Sequence, residues 1–295
     1  MNRAAAIDGQ ERVVMKSGRA MRYAPNIGLN SLDTPLFLES VGSIDPIEQI
    51  AFIDDHGFAG IEDNFLKLRA PADQARIGAE LARRGLEMGC FVNNVESWNL
   101  GRWSSRDPDE QTALQGELEL SIETAKRANA KLMTTLIGRN DRESPAFQQA
   151  ALIDNLKRVA PLAERAGVII CLEAVNARDY PMLLLSDVAD AYAVALAVGS
   201  PAVRILLDIF HVQARGGDVI DTLTRCWDMV AAVQVADNPG RAEMGSGELN
   251  WVNVLRHIRS LGYTGLIELE HEVAMPGIAG EHLMLERLEA IDRAI

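Results

Sequence analysis

Between residues 203 and 251 the chain reads VRILLDIFHVQ and then AAVQVADNPGRAEMGSGELNW, two aliphatic runs that each end in polar groups. A run of about four to six aliphatics flanked by helix signals is the pattern of a parallel strand buried on both faces. Nothing apolar is gained by ending such strands in Asp208 and His211, or in Gln234 and Asp237, so these side chains ask for a ligand. If parallel strands close into a barrel, the polar groups at their C-terminal ends converge on one mouth.

The remainder of the chain supplies that barrel. Strands are predicted at residues 23–29, 59–63, 86–93, 131–137, 168–175, 203–210, 230–235 and 266–269. Helix punctuation lies between them. Asp107, Pro108 and Glu110 offer an N-cap, a first-turn proline and a capping-box acid; Ser144 with Pro145 opens a helix that Gly167 closes, and Ser186 and Gly199 bracket the next. Strand and helix alternate with no linker-like stretch, which predicts an α/β fold of one domain, a (β/α)8 TIM barrel over residues 22–295, preceded by a flexible extension at residues 1–21. A doubly wound open sheet would show a glycine-rich phosphate loop after its first strand, and NIGL at residues 26–29 is not one.

Composition narrows the partners. Hydrophobic residues make up 48% and charged residues 24% of the 295, and no window approaches the ~20 apolar residues of a membrane span, so no membrane is expected. A formal charge of −13 repels phosphate backbones, which argues against nucleic acid. The three cysteines have no CxxC spacing, and the opening residues lack the apolar core of a secretory signal, so the expected location is cytoplasmic. A small-molecule substrate is the expected partner, and a homodimer the expected assembly if there is one.

Taken strand by strand, the mouth collects Asn26, Glu62, Asn93, Glu173 with Asn176, Asp208 with His211, Gln234 with Asp237, and Glu270 with His271. Three carboxylates and a carboxamide at the last four strands suit a hard divalent ion, Mn2+ or Mg2+, so Glu173, Asp208, Gln234 and Glu270 are the candidate metal ligands. Glu268 shares a strand face with Glu270 but lies one layer deeper, where a charge costs more, and Glu270 is therefore the ligand chosen. His211, Glu62 and Asn93 are candidate substrate contacts. The long loop at residues 94–106 carries Trp98, Arg102 and Trp103, and Trp98 is its candidate substrate contact. Arg241 follows ADNPG and has planar donors suited to a carboxylate.

These residues resemble the xylose isomerase-like TIM barrels, and within them the hydroxypyruvate isomerase group. LDIFHVQ is similar to that group's aspartate-and-histidine strand, and VQVADNPGRAEMGSGELNW to its Gln, Ala-Asp-Asn-Pro, Arg and Gly-x-Gly-Glu signature; LEAVN, YAPNI, GFAGIE and LGYTGLIELE follow in the right order. The resemblance implies one divalent ion on Glu173, Asp208, Gln234 and Glu270, with the two glutamates as catalytic acid/base groups and His211 on the substrate. The group usually has proline where Met244 stands, and an aromatic and a proline where His271 and Val273 stand, positions that shape the substrate pocket.

Two carboxylates flanking such an ion can move a proton next to the carbonyl of a 2-hydroxycarbonyl compound through an enediolate. Delivery to the adjacent carbon is aldose-ketose isomerisation, of the hydroxypyruvate/tartronate semialdehyde type. Delivery to the opposite face of the same carbon is epimerisation, as in a ketose 3-epimerase. A binding protein that keeps the fold without the chemistry is the third reading.

Overall fold

The computed structural model describes residues 18–295. Eight parallel strands are present: β1 (Arg22–Pro25), β2 (Gly60–Ile61), β3 (Glu87–Met88), β4 (Leu132–Thr135), β5 (Ile169–Glu173), β6 (Val203–Asp208), β7 (Val230–Val235) and β8 (Leu266–Leu269). Six of them form one sheet in the order β1-β8-β7-β6-β5-β4, and β2 pairs with β3. Bridges from Asn26 to Glu62 and from Val92 to Thr134 join these two pieces, which closes the cylinder in chain order. The architecture is the TIM barrel that the alternation predicts.

The strands β2 and β3 are shorter than expected, and the chemistry of β3 explains its length. Past Met88, the Cys90 N–H leaves the ladder and donates to Glu268 Oε1 at 2.8 Å. A Cβ on Gly89 would come within 2.5 Å of that oxygen, so glycine makes the approach possible.

The helices follow their caps. They are α1 (Leu38–Val41), α2 (Pro46–Asp55), α3 (Pro71–Arg84), α4 (Pro108–Ala128), α5 (Pro145–Ala166), α6 (Val188–Val198), α7 (Ile209–Arg215), α8 (Val219–Cys226), α9 (Trp251–Ser260) and α10 (Ile278–Asp292). Asp107 accepts from the Asp109 and Glu110 amides, Ser144 accepts from Phe147, and Gly167 and Gly199 close α5 and α6 at φ 68° and 71°. The cap of α6 is Asp187 rather than Ser186. Two helices follow β6 where one was expected, because Asp208 ends its strand and immediately N-caps α7, its Oδ1 accepting from the Phe210 amide at 2.7 Å. Residues 209–210 are thus helical, and His211 sits on the first turn of α7, three residues from Asp208 and on its side of the helix.

The expected loose extension at residues 1–21 falls mostly outside the described residues. Its last part is fastened: Asp292 accepts from the Ala20 and Met21 amides at 2.8 and 3.1 Å and from the Tyr23 hydroxyl at 3.0 Å, and Arg19 pairs with Glu289. Residues 19–23 are therefore tied to α10, which is stitched to β1. Among the described residues no helix is long and apolar enough to cross a membrane.

Asp237, expected at the mouth as a ligand-seeking group, is instead a structural staple. Its two oxygens accept from the amides of Asn238 (2.9 Å), Leu249 (3.2 Å) and Gly245 (2.9 Å) and from Trp251 Nε1 (2.8 Å), and it is fully buried. This holds the loop that carries Arg241. Replacing Asp237 with Ala leaves several buried donors unsatisfied, and a loss of about 3 kcal/mol or more is expected in denaturant unfolding.

Candidate metal centre and substrate cavity

A cavity of about 480 Å³ opens at the C-terminal ends of the strands. Glu173, His211, Gln234, Arg241 and Glu270 line one side; Leu29, Phe65, Val92, Val95, Trp98 and Leu136 line the other. The polar side is built by β5 to β8. Asp208 lies just behind it, with its Oδ2 3.4 Å from His211 Nε2 and 3.7 Å from Arg241 Nη2, and the same imidazole nitrogen lies 3.6 Å from Glu173 Oε1. Glu173, Asp208 and His211 together offer three ligand atoms within 4.8 Å of one another. Glu270 is held by Asn64 Nδ2 at 2.8 Å and by Arg241 Nη2 at 2.7 Å.

The tautomer of His211 follows from its partners. Asn176 Oδ1 accepts from the Asp179 amide at 3.0 Å, which fixes the carboxamide so that its Nδ2 faces His211 Nδ1 at 2.8 Å. An NH2 group facing Nδ1 makes that nitrogen the acceptor. The ring proton then sits on Nε2, toward the Asp208 and Glu173 carboxylates, and burial followed by the nearby Arg241 charge lowers its pKa to about 3, so the ring is neutral.

Sequence-based placement needs two corrections. Glu62 does not line the cavity: it is fully buried beneath Gln234, accepting from Gln234 Nε2 on Oε1 and from Asn26 Nδ2 on Oε2 at 3.1 Å. Asn93 also misses it. Side chains alternate along a strand, so Val92 faces the cavity while Asn93 turns outward to Thr135 Oγ1 at 3.2 Å. The two loop tryptophans take different places. Trp98 lines the cavity edge-on to Tyr180, whereas Trp103 is buried with its Nε1 on Glu117 at 3.2 Å. Sequence reasoning passed over Asn64 and Tyr180. Asn64 follows a strand-end acid and was open to the same reading as its neighbours; Tyr180, which meets Arg241 Nη1 at 3.1 Å, lies in a loop with no pattern to mark it.

The site holds more negative charge than its surroundings balance. Glu62, Glu173, Asp208, Glu268 and Glu270 are all buried, and Arg241 is the cation that pairs with this group. Burial raises the pKa of Glu173 well above the carboxylate range, with Glu270 and Asp208 adding to the effect; burial raises Asp208 as well, and Glu268 rises to about 7. Asp208 Oδ2 and Gln234 Oε1, and one layer deeper Glu268 Oε2, are buried without a hydrogen-bond partner. Unpaired oxygens in an anionic pocket fit a hard divalent cation. Glu173, Asp208, Gln234 and Glu270 would hold it.

These raised carboxylates set a sign for stability without metal. The folded chain binds protons that the unfolded chain has released, so stability falls as pH climbs through the raised values. Below about pH 7 the buried His211 opposes this trend, because its unfolded form takes up a proton that the folded form refuses. Above about pH 7 it is neutral in both states, and metal-free protein is expected to melt several degrees lower at about pH 8.5 than at about pH 7. Thermal scans with a chelator test this, and excess Mn2+ should remove most of the difference.

Residues 50–293 match the family model for the xylose isomerase-like TIM barrel, and the chain belongs to that family. Within it, the chain is 26% identical over 223 residues to hydroxypyruvate isomerase of Escherichia coli K12, covering 73% of this chain and 83% of that protein. It is 26% identical over 227 residues to 2-oxo-tetronate isomerase of Cupriavidus necator, covering 76% and 86%. In fold it is similar to an AP endonuclease family 2 protein from Brucella melitensis, with TM-score 0.75 at 20% identity over 88% of this chain and 96% of that one.

Proposed function

We propose that this protein is a metal-dependent isomerase of small 2-hydroxycarbonyl compounds, of the hydroxypyruvate/tartronate semialdehyde type. The observation that carries the reading is the pair of cavity-lining glutamates, Glu173 on β5 and Glu270 just past β8, with the unpaired oxygens of Asp208 and Gln234 beside them. The names of the relatives support the same class of reaction. A divalent ion, Mn2+ or Mg2+, would supply Lewis acidity toward the substrate's carbonyl and hydroxyl oxygens.

The chain's own residues do the proton work. Glu173, which lines the cavity at the end of β5, takes the proton from the carbon beside the carbonyl. Glu270 is kept in place by Asn64 and Arg241 and serves the other side of the substrate. His211 presents Nε2–H toward the polar side as a hydrogen-bond donor to a substrate oxygen. Trp98 and the aliphatic wall exclude water from the reacting carbon.

Arg241 lines the same cavity, and its Nε is buried without a partner. It binds a carboxylate or hydroxyl of the substrate, so Arg241→Met is expected to raise KM about tenfold or more for an acidic substrate and less for a neutral ketose. Equal effects on both would remove it from substrate binding. The reading as a whole is tested by metal analysis of the purified protein and a deuterium-exchange screen in D2O over hydroxypyruvate, tartronate semialdehyde, four-carbon 2-oxo acids and small ketoses. Exchange with proton return to the neighbouring carbon supports the isomerase. Inversion at one carbon of a ketose would make it a 3-epimerase, and metal-replete protein that exchanges nothing would leave a binding protein.

A further inference from the structure

We infer that Glu62 is a positioning residue that decides which end of the Gln234 carboxamide faces the cation, an inference that rests on the metal reading above. A carboxamide has an oxygen that can bind a cation and an NH2 that cannot, and the two ends are nearly equal in shape. A glutamine ligand is therefore useful only if something fixes its orientation.

In this barrel the fixing runs through a chain of contacts that starts at the backbone. The Gly28 amide donates to Asn26 Oδ1 at 2.7 Å, which turns Asn26 so that Nδ2 donates to Glu62 Oε2 at 3.1 Å. The other oxygen of Glu62 accepts from Gln234 Nε2. With its NH2 committed downward to Glu62, Gln234 leaves Oε1 without a partner, although the residue is 1% exposed and lines the cavity. A buried oxygen without a partner is costly unless something occupies it, and a divalent ion beside Glu173 and Asp208 is a fitting occupant.

Glu62 is suited to this by its burial. Asn26 and Gln234 take both its oxygens from opposite sides, so it has no rotamer freedom left to release the amide. A glutamine at position 62 would keep the size and one acceptor but would also present an NH2, and Gln234 would then be free to reverse. Groups that orient a ligand from behind are worth about 10- to 100-fold in metal affinity.

The test is a double-mutant cycle on Mn2+ affinity, measured by calorimetry on metal-stripped full-length protein, with melting temperature recorded for each variant. Glu62→Gln is expected to weaken Mn2+ binding by about 10- to 100-fold. Gln234→Met, which removes the ligand, is expected to weaken it as well, and Glu62→Gln added to Gln234→Met should cost less than about twofold more. Asn26→Ala should give a smaller loss in the same direction. Unchanged affinity in Glu62→Gln would overturn the inference, as would a full further loss in the double variant, since that would mark a general structural role. If the unmodified protein binds no Mn2+ or Mg2+, the metal reading itself fails, and the role of Glu62 goes with it.

Discussion

Glu173→Gln and Glu270→Gln are each expected to lower turnover by about 10² to 10⁴-fold, the range for removing a general acid or base. Both side chains line the cavity, and each amide would keep the shape while removing the ability to accept the proton. More is lost if the weaker oxygen donor also releases the cation, so metal content has to be measured alongside the rate. Glu268→Gln is the control. That carboxylate is absent from the cavity wall and accepts from the Cys90 amide beneath it, so its loss should appear mainly in stability and little in turnover. A rate collapse in Glu268→Gln with near-normal Glu270→Gln would move the chemistry one layer down the barrel.

Asp208→Ala is expected to abolish tight divalent-metal binding, because it removes a buried carboxylate whose Oδ2 has no hydrogen-bond partner at the centre of the proposed ligand set. The same substitution strips the N-cap of α7, which costs about 1 kcal/mol and shifts His211. Asp208→Asn separates the two effects. It keeps a capping oxygen but loses the charge, and it should weaken binding strongly while leaving the melting temperature of metal-free protein unchanged or higher, since a buried charge has gone. Stoichiometric metal retained in Asp208→Ala would displace the centre from this residue.

Much of this was legible in the sequence because burial and polarity leave opposite marks on a strand. Runs such as VRILLD are too apolar to end in Asp without reason, and Glu173, Asp208, Gln234 and Glu270 all lie on or beside the cavity's polar side. Depth likewise separates Glu268 from Glu270, since two residues along a strand is one layer, and Glu270 is the one that lines the cavity. What sequence could not supply was facing at irregular ends. Asn93 was assigned to the mouth, but the ladder breaks at Gly89 and the alternation that resumes at Val92 turns it outward. Glu62 was assigned to substrate because its hold on Gln234 spans 172 positions, and no local pattern carries such a contact. His211 was read as following a strand, whereas the cap at Asp208 had already begun a helix, which is what brings its ring to the carboxylates.

The proposed oxygen donors come from the segments at β5 to β8, and the apolar lining, apart from Val175 and Leu183, from the segments following β1 to β4. Reactivity and admission are thus drawn largely from separate halves of the chain, with Asn64, which follows β2 and holds Glu270, as a link between them. A combinatorial library confined to Leu29, Phe65, Val92, Val95, Trp98 and Leu136 would reshape which molecules enter while sparing all the acidic groups. Selection on such a library is expected to retarget the barrel without rebuilding its chemistry.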